Sequence, residues 1–342
     1  MAPRSEEELD ALLSTPREAT IAALARVPGD IMVLGAGGKM GPTLACTAAR
    51  ARAAADTGAR CRIIAVSRFS ADGVEQFLHR AGVETIRCDL LDRNAVARLP
   101  DAPNVVFMAG QKFGTRDAPS RTWMMNVVAP SICAERYAGA RIVAFSTGNV
   151  YPLTPVNGGG SRETDATAPV GEYAQTCVGR ERVFEHYSAM SGTNVAITRL
   201  NYAIGLRYGV LTDLALKVAY RRAIPLAMGH VNVIWQGDAN RAALELLPHA
   251  SSPPLIVNVT GPAMLSVREL ATALGARLGC EPRFEGAEAA DALLSNTSRM
   301  RALLGEPEVD LDTMLDWVAD WVKRERPLLG SATHFDARDG QF

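Results

Sequence analysis

A glycine loop set between a strand and a helix constrains this chain more than any other feature. Asp30-Ile-Met-Val-Leu-Gly35 is a short apolar run that feeds straight into Gly35-Ala-Gly-Gly38-Lys39-Met40-Gly41, and an alanine-rich helix follows to about Gly58. Glycines at this spacing have three uses: a tight turn, close approach of the backbone to a pyrophosphate, and close packing of helix on strand. The helix N-terminus beyond them offers free N–H donors and partial positive charge to phosphate oxygens. The loop predicts a dinucleotide cradle, with Gly35, Gly38, Lys39, Met40 and Gly41 at the cofactor.

The runs that follow carry the same rhythm. Arg62–Val66, Thr85–Cys88, Asn104–Met108, Arg141–Phe145 and Asn194–Arg199 are continuous apolar segments separated by helical stretches, one of them Gly73 to Ala81. Strands covered on both faces by crossover helices look like this, so the fold class is α/β, a Rossmann-type doubly wound parallel sheet. After Gly205 the rhythm loosens. A helix over Leu211–Arg222, strands at Val231–Trp235 and Pro254–Val259, and a Ser266-capped helix form a smaller C-terminal α/β substrate lobe. The expected organisation is a helical extension over 1–28, the dinucleotide-binding domain over 29–204, the substrate lobe mainly over 205–327 and partly interleaved with the core, and an extended polar tail over 328–342. Pro16 opens the helix of the extension.

Composition excludes several classes. A net charge of -1 leaves no electrostatic footprint for nucleic acid or an anionic membrane, and no apolar run approaches a membrane span. The six cysteines lack Cys-x-x-Cys pairing and the five histidines lack ligand spacing, so neither a disulfide frame nor a metal site is expected. No signal peptide is seen, and the expected location is cytoplasmic. No nucleophile elbow or hydrolase triad is present.

The end of the second strand bears on which dinucleotide binds. An acid there accepts from the ribose 2′-OH of NAD, whereas a basic residue takes the 2′-phosphate of NADP. Here it reads Ser67-Arg68, with Lys39 as a possible second cation, so NADP(H) is expected over NAD(H), which remains possible.

With these residues in hand, the chain resembles the extended short-chain dehydrogenase/reductase family of the NAD-dependent epimerase/dehydratase type, over about Asp30 to Asp320. The resemblance rests on Asp89-Leu90, on Met108-Ala109-Gly110-Gln-Lys112, and on Asn126. It continues through Ser146-Thr147-Gly-Asn-Val-Tyr151, Glu163-x-Asp165, Tyr173, Glu181, Arg199-Leu-Asn201-Tyr202 and Asn258-Val-Thr-Gly261. It implies that Asp89 and Leu90 meet the adenosine, that Ala109, Gly110, Lys112 and Asn126 lie along the cofactor, and that Thr147 with Ser146 beside it binds the substrate oxygen. It also implies that Tyr173 moves a proton to or from that oxygen, and that two copies form a homodimer.

The family's lysine four residues after the tyrosine is absent: the segment reads Tyr173-Ala-Gln-Thr-Cys177. An ammonium at about 4 Å, in an effective dielectric near 20, favours a phenolate by roughly 4 kcal/mol, about three pKa units. Its loss slows a base-catalysed step by roughly a hundred- to thousandfold, yet costs little if a neutral Tyr173 donates its proton. Cys177, at the cofactor position of that lysine, reads as a packed helical thiol. Arg180 lies on the same helical face and reads as an exposed helix charge, or else as a cation approaching the tyrosine. The stretch His230–Asp238 also lacks the arginine with which nucleotide-sugar epimerases grip a diphosphate. The expected function is NAD(P)-dependent oxidation, reduction or epimerisation of a small hydroxy or keto, sugar-like compound. A dehydratase or lyase with permanently bound dinucleotide, and a non-catalytic dinucleotide-binding module, are the alternatives.

Overall fold

Each residue of the first strand is wholly buried, and alternate side chains enter different cores. In the computed structural model, β1 (Ile31–Leu34) sends Ile31 and Val33 to one face of the sheet and Met32 and Leu34 to the other. Such a strand must be covered on both sides, which explains its unbroken apolar sequence. The structure describes residues 2–55, 61–112, 114–115, 117–330 and 333–340.

Helices α1 (Glu6–Leu13) and α2 (Glu18–Ala25) precede β1. Then come α3 (Gly41–Ala55), β2 (Ile63–Ser67), α4 (Val74–Arg80), β3 (Glu84–Arg87), α5 (Arg93–Ala97) and β4 (Asn104–Phe107). Next are α6 (Pro119–Trp123) and α7 (Ala129–Arg136), joined by a π-helical turn at Met124–Val128, then β5 (Arg141–Thr147), α8 (Gly171–Ser191) and β6 (Asn194–Leu200). Last are α9 (Val210–Ala219), α10 (Gln236–Glu245), β7 (Leu255–Val259), α11 (Val267–Leu278), α12 (Ser298–Leu304) and α13 (Leu311–Lys323). The strands pair in parallel in the order β3-β2-β1-β4-β5-β6-β7. The order reverses between β1 and β4, and the glycine loop lies there, at the carboxyl ends of the strands.

Three expectations change. Pro254–Val259 is no strand of the smaller lobe; Leu255–Val259 closes the main sheet beside β6. Val231–Trp235 is two short strands, because Asn232 between them turns its amide to Ala263 O and Ser295 N. The helix expected to reach Gly58 runs to Ala55, and residue 58 lies outside the described residues.

The N-terminal extension holds an additional helix, α1, and ties the lobes together. Leu9 and Leu13 enter the core of the smaller lobe, while Arg17 and Thr20 both bind Glu245 on α10, at 2.5 and 2.6 Å. No described helix is long and apolar enough to cross a membrane.

Candidate active site

A cavity of about 460 Å³ opens at the reversal of strand order. Gly35, at φ +89°, passes so close to the next strand's end that a Cβ would lie 2.4 Å from Ala109 N. A Cβ on Gly41, where α3 begins, would lie 2.4 Å from Ala36 O. Gly38 differs: its Cβ would meet only Gly35 O, at 3.7 Å, and it borders the cavity. Two glycines thus shape the turn and the third leaves a bare surface, which fits a dinucleotide pyrophosphate approaching the start of α3.

Gly35, Gly38, Lys39, Met40, Gly41, Gly110 and Lys112 line one side of this cavity, and Ser146, Thr147 and Tyr173 line another. Thr147 ends β5, and Tyr173 sits in the first turn of α8. The Tyr173 hydroxyl is hydrogen-bonded to Thr147 and to the Cys177 thiol, and burial pushes its pKa up, against the pull of the Arg180 cation. Tyr173 is therefore held protonated at neutral pH. Ser146 is turned away: its hydroxyl donates to Glu181 Oε1 at 2.5 Å. Of the two hydroxyls, Thr147 is the one at hand for a ligand.

Cys177 is wholly buried behind Tyr173, beside Val150 and Tyr151, and does not border the cavity. Burial raises its thiol pKa, so it is a packed thiol rather than a nucleophile. Arg180, in contrast, is not the exposed charge its helix suggests. It is 5% exposed and donates to Phe145 O, Asn126 O and Asn126 Oδ1, at 2.9, 3.3 and 2.8 Å. These are neutral acceptors, and among the described residues no carboxylate pairs with it. Gly110 is required here, since a Cβ would lie 2.5 Å from the guanidinium. Asn126, in the π-helical turn, is fully engaged with Gln111 N and O, Thr176 and Arg180. It braces the loop after β4 and has no capacity left for a cofactor.

Two ammonium groups reach the cavity. Burial and the neighbouring Lys112 and Arg207 cations lower Lys39 to about 7, and burial lowers Lys112 to about 8. Lys39 donates to Ala203 O at 2.9 Å and lies over the Tyr208 ring, so it turns into the cavity and is not a second cation beside Arg68. An anion in this cavity restores both lysines towards their ordinary pKa and takes up protons. Affinity for pyrophosphate should fall as pH rises from about 7 to 9, by up to roughly tenfold per unit for each lysine, as calorimetry at several pH values checks. The sign for stability is opposite. The unfolded chain holds these protons to about pH 10.4, so the ligand-free protein should gain stability between about pH 7 and 10.

Ser67, Arg68, Asp89 and Leu90 stand at the carboxyl ends of β2 and β3, outside this cavity. The Ser67 hydroxyl packs against Gly37, Arg68 and Asp89 are exposed, Asp89 accepts from Leu91 N, and Leu90 is buried. Ala109 packs beneath Gly35.

The sequence model of the NAD dependent epimerase/dehydratase family matches residues 31–253, from β1 to just before β7. The chain belongs to that family. Comparison with curated proteins gives no match. Among solved structures, a UDP-glucose 4-epimerase from Thermotoga maritima with UDP-glucose is 18% identical, at a TM-score of 0.71, over 86% of this chain and 99% of that one. A UDP-glucose 4-epimerase from Thermus thermophilus, in complex with NAD, is 20% identical, at 0.70, over 86% and 99%. An epimerase from Methanothermobacter thermautotrophicus is 16% identical, at 0.72, over 90% and 96%. These likenesses establish the extended Rossmann-type fold.

Much of what makes this epimerase/dehydratase recognisable by sequence is a buried brace rather than a catalytic group. Glu181 binds Arg199 through both oxygens, at 3.0 and 2.7 Å, and accepts from Ser146. Arg199 donates to Tyr151, Tyr151 to Asn258, and Asn258 N to Glu163. The chain of bonds ties β5, β6, β7 and α8 together beneath the cavity. Replacing Glu181 with Leu leaves the Arg199 guanidinium, 3% exposed, without its countercharge. We expect a loss of about 3–5 kcal/mol and a Tm lowered by roughly 5–10 °C, measured by calorimetry.

Sequence reasoning missed Tyr208, Leu329 and Thr333 at the cavity, and Asp213, which holds Thr333. Tyr208 carries Lys39 on its ring, and Asp213, in the first turn of α9, accepts from Thr333 N at 2.8 Å and from the Thr333 hydroxyl. Thr333 and Leu329 come from the supposed tail. A glycine followed by an acid in a helix's first turn was the only signal for Asp213. Nothing marked the tail, whose anchoring contacts to Arg207, Asp213, Lys217 and Asp291 are long-range.

Proposed function

We propose that this protein is an NAD(P)-dependent oxidoreductase or epimerase of a small hydroxy or keto, sugar-like compound, preferring NADP(H) to NAD(H). One observation carries the reading: the bare glycine cradle and the Thr147–Tyr173 hydroxyl pair border a single cavity. When bound, the nicotinamide supplies reversible hydride transfer. Gly35, Gly38, Gly41 and the first turn of α3 would hold the pyrophosphate, Lys39 and Lys112 add positive charge, and the exposed Arg68 meets the 2′-phosphate. Asp89 lies at the adenosine.

Thr147 donates to the substrate oxygen and fixes its position. Tyr173, kept protonated by burial, gives that oxygen its proton, which suits reduction of a carbonyl. Arg180 pulls the Tyr173 pKa down but does not outweigh burial, so it offsets only part of the missing ammonium and leaves Tyr173 a proton donor. We read the protein as cytoplasmic and homodimeric, with the exposed Trp123 and Met124 beside α8 where two copies meet.

The test is a thermal-unfolding titration of cofactor-stripped protein with NAD(H) and NADP(H) in parallel. A ligand at a hundred times its Kd stabilises the native state by about 2.7 kcal/mol. A larger shift with NADP(H) supports the Arg68 assignment, and no shift with either dinucleotide overturns the reading. A dehydratase or lyase uses the same residues and falls within the family's description. Its distinguishing results are dinucleotide that co-purifies and no net change in nicotinamide absorbance during turnover.

A further inference from the structure

Residues 333–340 do not trail into solvent. After α13 the backbone pairs Leu329 N with Arg207 O at 3.0 Å, and Thr333, 3% exposed, is held by Asp213 in the wall of the cavity. Phe335, 2% exposed, is inserted into the apolar core of the smaller lobe with Leu214, Val218 and Leu226. Asp336 pairs with Lys217 at 3.2 Å, and Arg338 pairs with Asp291 and donates to Ala227 O at 2.9 Å. Gly340 lies against Val170 and Gly171, where α8 begins two residues before Tyr173. Residues 333–340 therefore form a strap from the smaller lobe to the catalytic helix, anchored at each end and in the middle.

The strap stands where a substrate would have to extend. A reacting carbon must sit beside Thr147 and Tyr173, and the glycine-loop side of the cavity belongs to the dinucleotide. Asn149 and Tyr202 line the rest of the cavity, and Thr333 of the strap, with Leu329 before it, stands in the same wall. Beyond the strap, a remnant of about 40 Å³ lies between Asn149, Tyr202, Met228 and strap residues Ala337 and Arg338. That is room for roughly three waters. The 460 Å³ cavity lies near the lower end of the roughly 300–1,000 Å³ usual for a single ligand, and it would hold the nicotinamide end of the dinucleotide beside the substrate. The neighbour solved with UDP-glucose is covered over 99% of its length while 86% of this chain is matched, so part of this chain has no counterpart there.

We propose that the strap formed by residues 333–340 is the specificity-determining wall of the substrate site, admitting a free sugar-sized hydroxy or keto compound and excluding a nucleotide-linked sugar. The proposal rests on the functional reading above and names its substrate class. No covalent step belongs to the strap; it acts by filling space and by holding Asp213 and Lys112 in place through Thr333.

The test uses UDP-glucose as the probe, titrated calorimetrically into dinucleotide-loaded full-length protein, a chain ending at Pro327, and an Asp336→Ser, Arg338→Ser double variant that loosens the strap without shortening it. Dinucleotide affinity is measured for all three. The expected result is no saturable UDP-glucose binding to the full chain and at least a tenfold gain in the strap-released forms, both of which still bind dinucleotide. Should the shortened chain not fold, the double variant carries the comparison. Micromolar binding of UDP-glucose to the full chain overturns the proposal, as does a released strap that gains nothing while still binding dinucleotide. Loss of dinucleotide binding in the full chain instead overturns the functional reading itself, and the proposal with it.

Discussion

Replacing Tyr173 with Phe should lower turnover by about a hundred- to ten-thousandfold and leave dinucleotide affinity within twofold of the native value. The ring keeps its place on α8 and only the hydroxyl is removed. Its partners Thr147 and Cys177 are both neutral, so no charge is left unpaired and the fold should persist. The proton proposed to come from Tyr173 would have no substitute at that position: Cys177 is sealed behind it, and the Ser146 hydroxyl is bound to Glu181. Single-turnover kinetics on a substrate found by absorbance screening, alongside calorimetric dinucleotide binding, separate the two effects. Turnover retained within tenfold would remove Tyr173 from the chemistry.

The second large effect is expected at Gly38. Valine there should weaken dinucleotide binding at least about a hundredfold, roughly 2.7 kcal/mol, while moving Tm by no more than a few degrees. A Cβ at Gly38 meets nothing closer than 3.7 Å, so the ligand-free fold accepts the side chain. The space it would enter is the one the pyrophosphate needs. Gly35 makes the contrast: at φ +89°, with Ala109 N 2.4 Å from a Cβ, its replacement should unfold the loop rather than merely block it. Titration calorimetry and thermal unfolding on the two variants, side by side, distinguish a blocked cradle from a broken one.

The matched motifs divide by depth in the structure. Thr147 and Tyr173 reach the cavity, Ser146 borders it but turns its hydroxyl to Glu181, and Glu163, Glu181, Arg199 and Asn258 form the brace beneath it. Their spacing in the chain is equally distinctive in both groups, so the sequence alone could not separate residues that face a ligand from those that position them. Arg180 makes the same point. Helical periodicity placed it on the face of Cys177, but its burial and its three neutral acceptors depend on the π-helical turn at Asn126 and on the bare backbone of Gly110.

By itself the sequence determined the parallel sheet, the glycine cradle and the tyrosine helix, because these follow from local signals: unbroken apolar runs, a strand–glycine–helix junction, and a motif with fixed spacing. The tertiary structure alone decided where β7 lies, which way Lys39 turns, that Arg180 is buried with no carboxylate among the described residues paired to it, and that Thr333 of the supposed tail borders the cavity. Each depends on a partner far along the chain, as with Lys39 and Ala203, Thr333 and Asp213, or Arg338 and Asp291. Such pairs leave no periodicity to read, since what selects them is the desolvation of a charge or hydroxyl once the chain has closed around it.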